Sequence, residues 1–246
     1  MDKNFKLTIE YDGTLYHGWQ RQPTHRTIQG EIEKALAIMT GRQVTVIGSG
    51  RTDAGVHASG QVANFKSETR LTPGELLRGL NSLLPADIVI HQCVQVASQF
   101  HARFDVHSKL YRYRILNRPL PSAMERFYAW WLKAPLNVDA MRSTIPHILG
   151  THDFKSFEGS GSPREHTVRH VLQASLRNDQ SDRLIFDIEA DGFLRYMVRN
   201  LVGTMVAVGL GKITPDQFIK ILQARNRSLA SSTAPPHGLC LIRVVY

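Results

Sequence analysis

The chain is expected to fold as an α+β protein. Segments of period two alternate along it with segments of period 3.6. Over the first hundred residues they come in the order strand, helix, strand, strand, helix, strand. The second half holds a similar mixture, with no clear internal sequence repeat.

Phe5, Leu7, Ile9 and Tyr11 alternate with Lys6, Thr8 and Glu10, which is strand period. Tyr11-Asp12-Gly13-Thr14 then signals a turn. The loop beyond holds Tyr16, His17, Trp19, Gln20 and Arg21, residue types that stack on bases and grip phosphates. Packing of Trp19 on the sheet edge accounts for it equally well. Over 27–40, Ile28, Ile32, Leu36 and Met39 share one helical face, with Thr27 placed to cap the start and Gly41 to end it. Residues 44–47 and 61–65 read as strands. Thr72-Pro-Gly-Glu75 starts a second helix, with Leu76, Leu77, Leu80, Leu83 and Leu84 as its buried face and Pro85 as its stop. Two short apolar runs follow, at 88–90 and 93–96. This order is that of a split βαβ, ferredoxin-like sheet with helices on one face. Many RNA-binding modules use such a sheet, although fold order alone does not assign function.

The stretch 100–118 is the most basic in the chain, with Arg103, Lys109, Arg112, Arg114 and Arg118 beside His101 and His107. Tyr111, Tyr113 and Ile115 alternate with Arg112 and Arg114, so the strand has an aromatic face and a cationic one. Cations for phosphate and rings for bases favour RNA over the plainer reading, an edge strand guarded by charge. Residues 127–131 read as a strand, and 137–149 as a helix that Pro146 must kink or shorten. A flexible loop at 159–163 leads into Arg164, His166 and Arg169; it orders on binding or is a hairpin tip. Residues 168–176 and 184–190 read as strands. Asp191-Gly192-Phe193 then leads tightly into a helix with Met197, Leu201, Met205 and Val208 on one face and Arg195 and Arg199 on another. An arginine on a mostly apolar helix needs an acidic or phosphate partner, or forms a structural ion pair. Thr214-Pro-Asp-Gln217 starts another capped helix around Phe218, Ile221 and Leu222, and 239–246 is a final strand.

Lys plus Arg number 30 against 21 acidic residues, a net charge of +9 that suits a polyanionic partner. The N-terminus lacks the apolar core of a signal peptide. The longest uncharged apolar-rich run, 200–211, falls short of the roughly 20 residues a membrane span needs. A cytoplasmic protein that does not engage membranes is therefore expected. The two cysteines, Cys93 and Cys240, sit in apolar runs and read as buried thiols. Gly48, Gly50 and Gly55 have the wrong spacing for a dinucleotide loop, and no Gly-Lys-Ser/Thr follows. The histidines of His166-Thr-Val-Arg-His170 do not make a zinc helix, and no G-x-S-x-G exists. A lone carboxylate, Asp53, remains, two residues from Arg51 in the glycine-rich loop GSGRTDAGVH at 48–57.

Around that loop, SGRTDAGVHASGQVANF (49–65) closely resembles the signature of the tRNA pseudouridine synthase A family. The family's other landmarks follow in order: EYDGTLYHGWQRQP (10–23), TIQGEIEKAL (27–36), NSLLP (81–85), FHARFD (100–105), KLYRYRI (109–115), DGFLRYMVRNLVG (191–203) and APPHGLCL (234–241). The resemblance implies isomerisation of uridine to pseudouridine at positions 38, 39 and 40 of the tRNA anticodon stem-loop, with no cofactor or metal. It puts the catalytic aspartate on Asp53, its basic partner on Arg199, and the tyrosine that stacks on the target base, and is a candidate acceptor of the C5 proton, on Tyr111. Arg51 matches an arginine that helps displace the target nucleotide. With Tyr111 and Arg51, the cations Arg103, Lys109, Arg112 and Arg114 are the expected tRNA contacts. The implied fold is a pseudouridine synthase fold of two ferredoxin-like or RRM-like α+β halves about a pseudo-twofold axis, with mixed antiparallel sheets, acting as a homodimer. Residues 1–105 would carry the Asp53 loop and 106–246 would complete the cleft. The SGSPRE stretch (160–165) and Cys240 are less typical of the family. Two other readings compete: a binding-only RNA module of the same fold with Asp53 structural, and another carboxylate enzyme, such as a glycosidase. The second wants paired carboxylates, and no motif pairs Glu10 or Asp12 with Asp53.

Overall fold

A computed structural model describes residues 2–159, 166–179 and 182–246. The SGSPRE stretch and nearly all of the loop expected at 159–163 lie outside the described residues. In chain order the elements are β1 (Lys3–Tyr11), α1 (Ile28–Thr40), β2 (Ile47–Gly48), β3 (His57–Ser67), α2 (Pro73–Leu83), β4 (Ile88–Val96), β5 (Ser108–Asn117), β6 (Trp130–Leu132), α3 (Val138–Arg142), β7 (Gly150–Asp153), β8 (Val168–Asp179), β9 (Arg183–Ala190), α4 (Met197–Gly209), α5 (Pro215–Ala224) and β10 (Leu239–Val245). The chain divides into two compact units, Met1–His107 with Cys240–Tyr246, and Ser108–Leu239.

In the first unit β1 lies between β3 and β4, antiparallel to both. The outer edge of β3 takes β2, antiparallel at Asn64 and Ala63, and β10, parallel at His57 and Ala58. The order β4-β1-β3-β2 is the ferredoxin-like one expected, with β2 much shortened. Residues 44–46 are not strand, although Val44 and Val46 are buried as a strand pattern requires. The cause is local capture of the backbone. Val46 N–H donates to Glu33 Oε1 at 3.0 Å and its carbonyl accepts from Gln29 Nε2 at 3.0 Å, so α1 side chains replace the ladder. The two apolar runs at 88–96 form one strand. Its register passes from Thr8–Gln92 to Ile9–Ile90, leaving His91 as the extra residue of a bulge.

The apolar face of β1 forms the centre of this unit's core: Phe5, Leu7 and Ile9 are fully buried, with Ile28, Ile32 and Leu36 of α1 and Leu76 and Leu80 of α2. Each such side chain contributes about 1.5–3 kcal/mol. Thr27 caps α1 by accepting from Gly30 N–H, and Gly41 ends it in the left-handed region at φ 69°. A capping box of Thr72 and Glu75 starts α2. Leu83 is 45% exposed while Leu84 is buried, so the face expected for α2 fails at Leu83.

In the second unit the strand order is β5-β9-β8-β7, with β6 parallel to the end of β5. α4 is buried on every side except at Arg199, as expected of a helix apolar all round. Phe154, Phe157 and Phe218 are buried in the same unit. Three expectations are corrected here. The strand at 127–131 shrinks to β6, because Tyr128 and Ala129 N–H close turns on the Glu125 carbonyl. The helix at 137–149 stops at Arg142, and a separate 3-10 turn covers Ile145–Ile148. Pro146 has no N–H to give and disfavours helix in the residue before it. Arg195 lies in the turn before α4, not on it.

Candidate active site

The loop at 48–57 leads into β3, and the first unit holds it from several directions. Gln61, fully buried on β3, accepts from Ser49 Oγ at 2.6 Å and donates Nε2 to the Gly50 carbonyl at 3.1 Å. Ser49 N–H donates to the Val62 carbonyl at 2.7 Å. Thr52 is buried, its Oγ1 2.8 Å from the Tyr11 hydroxyl, and its carbonyl accepts from Trp19 N–H. Burial pushes the Tyr11 phenol far above its ordinary pKa, partly offset by hydrogen bonds to Thr52 and Gln61, so it remains a neutral partner. Gly55 N–H donates to the Tyr16 carbonyl, and Val56 N–H closes a turn on the Asp53 carbonyl.

The segment between β1 and α1 runs against this loop, backbone to backbone. A side chain at Gly18 would stand 2.5 Å from the Thr52 carbonyl oxygen and 3.1 Å from the Asp53 carbonyl carbon, and Gly18 already has φ +86°. A side chain at Gly13 would overlap the Val56 carbonyl. Both positions require glycine, one for its φ and both for the close approach. Between these supports exposure alternates: Arg51 is exposed, Thr52 buried and Asp53 half-buried. Arg51 makes no ion pair or hydrogen bond among the described residues.

In the aromatic loop beside it the Tyr16 and Trp19 rings are packed, while His17 and Arg21 are exposed. Trp19 is buried, its ring 6.3 Å from that of Tyr11, and Tyr16 is buried with its hydroxyl on Asp87 and the Arg26 guanidinium 4.5 Å over its ring. The plainer reading of Trp19 is therefore the one the structure bears out. Arg103 is exposed, with its guanidinium over the ring of Phe104, itself 74% exposed.

In the second unit Tyr111 sits on β5 opposite Ile188, buried, with its ring edge-to-face on Phe193 at 5.1 Å. Arg112 faces Asp187 across the ladder and makes two hydrogen bonds to it, at 2.8 and 2.9 Å. A bidentate pair of this kind is strong and directional, and it locally neutralises a charge expected on the cationic face. Lys109 and Arg114 are half-buried on the same strand.

Arg199 is held tightly in the second unit. Its Nε donates to the Ala234 carbonyl at 2.8 Å, and its own carbonyl accepts from Ala234 N–H at 3.1 Å. Next to it, buried Asn200 donates to the Phe157 carbonyl and accepts from Thr233 Oγ1 and Arg227. The segment at 232–234 crosses α4 where Gly203 has no side chain to block it. Tyr113 ties the next residue down by donating to the Pro235 carbonyl at 2.7 Å. Burial raises the Tyr113 pKa far above normal, with the Arg199 charge opposing the rise.

The expected site residues thus fall on both units: Arg51, Asp53 and Arg103 on the first, and Lys109, Tyr111, Arg112, Arg114 and Arg199 on the second. Tyr11, Gln61 and Ala234, which hold the loop and Arg199, were not singled out in the sequence as supports of the site. Strand period places Tyr11 and Gln61 on their elements but does not show these roles, which depend on partners distant in the chain. Among the described residues no cluster of three or more His, Cys, Asp or Glu is placed to hold a metal. No described helix is long and apolar enough to cross a membrane.

The family model described as tRNA pseudouridine synthase matches residues 7–105 and 145–246. A protein named tRNA pseudouridine synthase A from Thermoanaerobacter sp. (strain X514) is 45% identical over 244 residues, 99% of this chain and 100% of its own length. One of the same name from Moorella thermoacetica is 46% identical over 243 residues, 98% of each chain. Both similarities span the interval 106–144, where Tyr111 lies. A slighter likeness, TM-score 0.38 at 13% identity over 96% of this chain and 48% of the other, is to a structure described as a Cbf5-Nop10-Gar1 complex. The matched motifs, the end-to-end similarity and the α+β architecture agree, and the chain belongs to the tRNA pseudouridine synthase family.

Proposed function

We propose that this protein isomerises uridine to pseudouridine in tRNA, at positions 38, 39 and 40 of the anticodon stem-loop. The bond from ribose C1′ to N1 breaks, the uracil turns, and C1′ bonds to C5. The C5 proton is lost and N1 gains one, so the reaction is a net isomerisation and consumes nothing. The observation that carries this reading is Asp53, half-buried on a loop locked by Gln61, Thr52 and Gly18, in a chain of this family.

In this reading Asp53 is the reacting carboxylate, and Arg199 is the cation that keeps it ionised. An ionised carboxylate is the form able to act as nucleophile or base. Tyr111 supplies a face on which the base stacks as it rotates. A paired base must first leave the helix, at a cost of about a few kcal/mol. Arg51, exposed and unpaired beside Asp53, is suited to fill the space the nucleotide leaves. Arg103, Lys109, Arg112 and Arg114 contact the phosphate backbone. The protein works in the cytoplasm as a homodimer.

The test is incubation of purified protein with unmodified tRNA transcripts carrying uridine at 38, 39 or 40, followed by pseudouridine mapping. Pseudouridine at those positions and nowhere else in the tRNA is expected. Tight tRNA binding without any pseudouridine would favour a binding module instead.

A further inference from the structure

We propose that Tyr196 is a positioning residue for Arg199, and that its strained backbone exists to aim its ring at that guanidinium. The proposal rests on the reading of Arg199 as the partner of Asp53.

Tyr196 has φ 61° and ψ 2°, in the left-handed region, at the residue just before α4. Glycine takes this conformation freely, whereas a residue with a Cβ pays in strain. Capping does not explain the choice, because the Tyr196 side chain makes no cap hydrogen bond to α4. Observed strain of this sort, kept where glycine would relieve it, points to a function for the side chain.

The ring shows what that function is. The Arg199 guanidinium carbon lies 4.9 Å from the ring centroid and that of Arg195 lies 4.7 Å from it. Arg195 also donates to the Tyr196 hydroxyl at 3.1 Å. The ring rests against Gly159, where a side chain would collide with it, and Gly159 N–H donates to the Arg195 carbonyl at 2.7 Å. The ring is therefore boxed between a backbone wall and two cations. The Arg199 Nε is held by the Ala234 carbonyl, and its guanidinium carbon also lies over the electron-rich ring. The ring adds a hold on the guanidinium itself, so Arg199 is pre-set before substrate arrives.

The test compares four variants by kcat and KM for tritium release from C5-labelled uridine in tRNA, with the melting temperature of each. Tyr196→Asn keeps a residue that tolerates the left-handed region but removes the ring. Its kcat should fall about 10-fold, the value of a partly desolvated cation–π contact, with KM within about 3-fold. Tyr196→Phe should restore most of the rate. Trifluorophenylalanine at 196 keeps the ring's shape but drains its charge, and should lower kcat below the Phe variant at an unchanged melting temperature. Equal kcat for Phe and trifluorophenylalanine would overturn the proposal, and that pair decides it even if the Asn variant does not fold. Arg199→Ala separates the two levels. A wild-type rate there removes the reading of Arg199 and the role of Tyr196 with it. A slow Arg199→Ala beside a fast Tyr196→Asn overturns the inference about Tyr196 alone.

Discussion

Thr52 shows how a residue that does no chemistry prepares one that does. Its hydroxyl meets Tyr11 in the core and its carbonyl meets Trp19 N–H, so the residue before Asp53 is fixed at two atoms. Replacing it with valine keeps the shape and leaves the Tyr11 hydroxyl with one partner fewer in a buried place. Thr52→Val is expected to lose about 1–3 kcal/mol of stability, the cost of stranding a buried polar group. Urea unfolding measures this; an unchanged midpoint would mean that Tyr11 finds another acceptor. Arg199 follows the same logic on the second unit, with Ala234, Tyr196 and the neighbouring Asn200 network defining its place.

Among the elements, those legible in the sequence are the ones whose causes are local. α1 and α2 carry their apolar faces, caps and stops in their own stretch of sequence, α5 carries its face and N-terminal cap, and all three form nearly as expected. β2 fails that test, because what strips residues 44–46 of strand is Gln29 and Glu33, two side chains on another element. β10 is plain as a strand in sequence, but its return to pair in parallel with β3 is a long-range fact that no local pattern carries. The candidate site divides likewise. The glycine-rich loop with its single acid stands out in the sequence, whereas Gly13 reads only as part of a turn and Gly18 is unmarked, and nothing local shows that they let another backbone approach the loop. Gly18→Ala is expected to cost at least about 2 kcal/mol, from an unfavourable φ and the overlap with Thr52. Turnover should fall with it as the Asp53 loop is pushed aside. A melting curve and a rate measurement check both, and an alanine variant with wild-type values in each would show that this contact does not set the loop.

For the whole molecule, buried acids that ionise at high pH set an alkaline limit to stability. Burial raises the Cys93 thiol to about 11 and pushes Tyr11, Tyr16, Tyr113 and Tyr246 well above the usual tyrosine range. In the unfolded chain these groups lose their protons near pH 8.5 for cysteine and about 10 for tyrosine. Above those values the unfolded state binds fewer protons than the native one, so stability falls as pH rises. The contribution is fully present below about pH 8.5 and is expected to drain away through pH 11 and beyond. Unfolding midpoints taken from pH 7 to 11 test this, and a level profile would contradict it.

In the proposed function the whole molecule holds one carboxylate, that of Asp53, ready for a nucleotide of tRNA. Asp53→Asn removes the charge while keeping size and shape, and the supports at Thr52, Gln61 and Gly18 do not depend on that carboxylate. The decisive measurement is tritium release from C5-labelled uridine in tRNA by this variant, with tRNA binding followed in parallel. Release is expected to drop below detection while binding and melting temperature stay close to wild type; release at the wild-type rate would contradict the account.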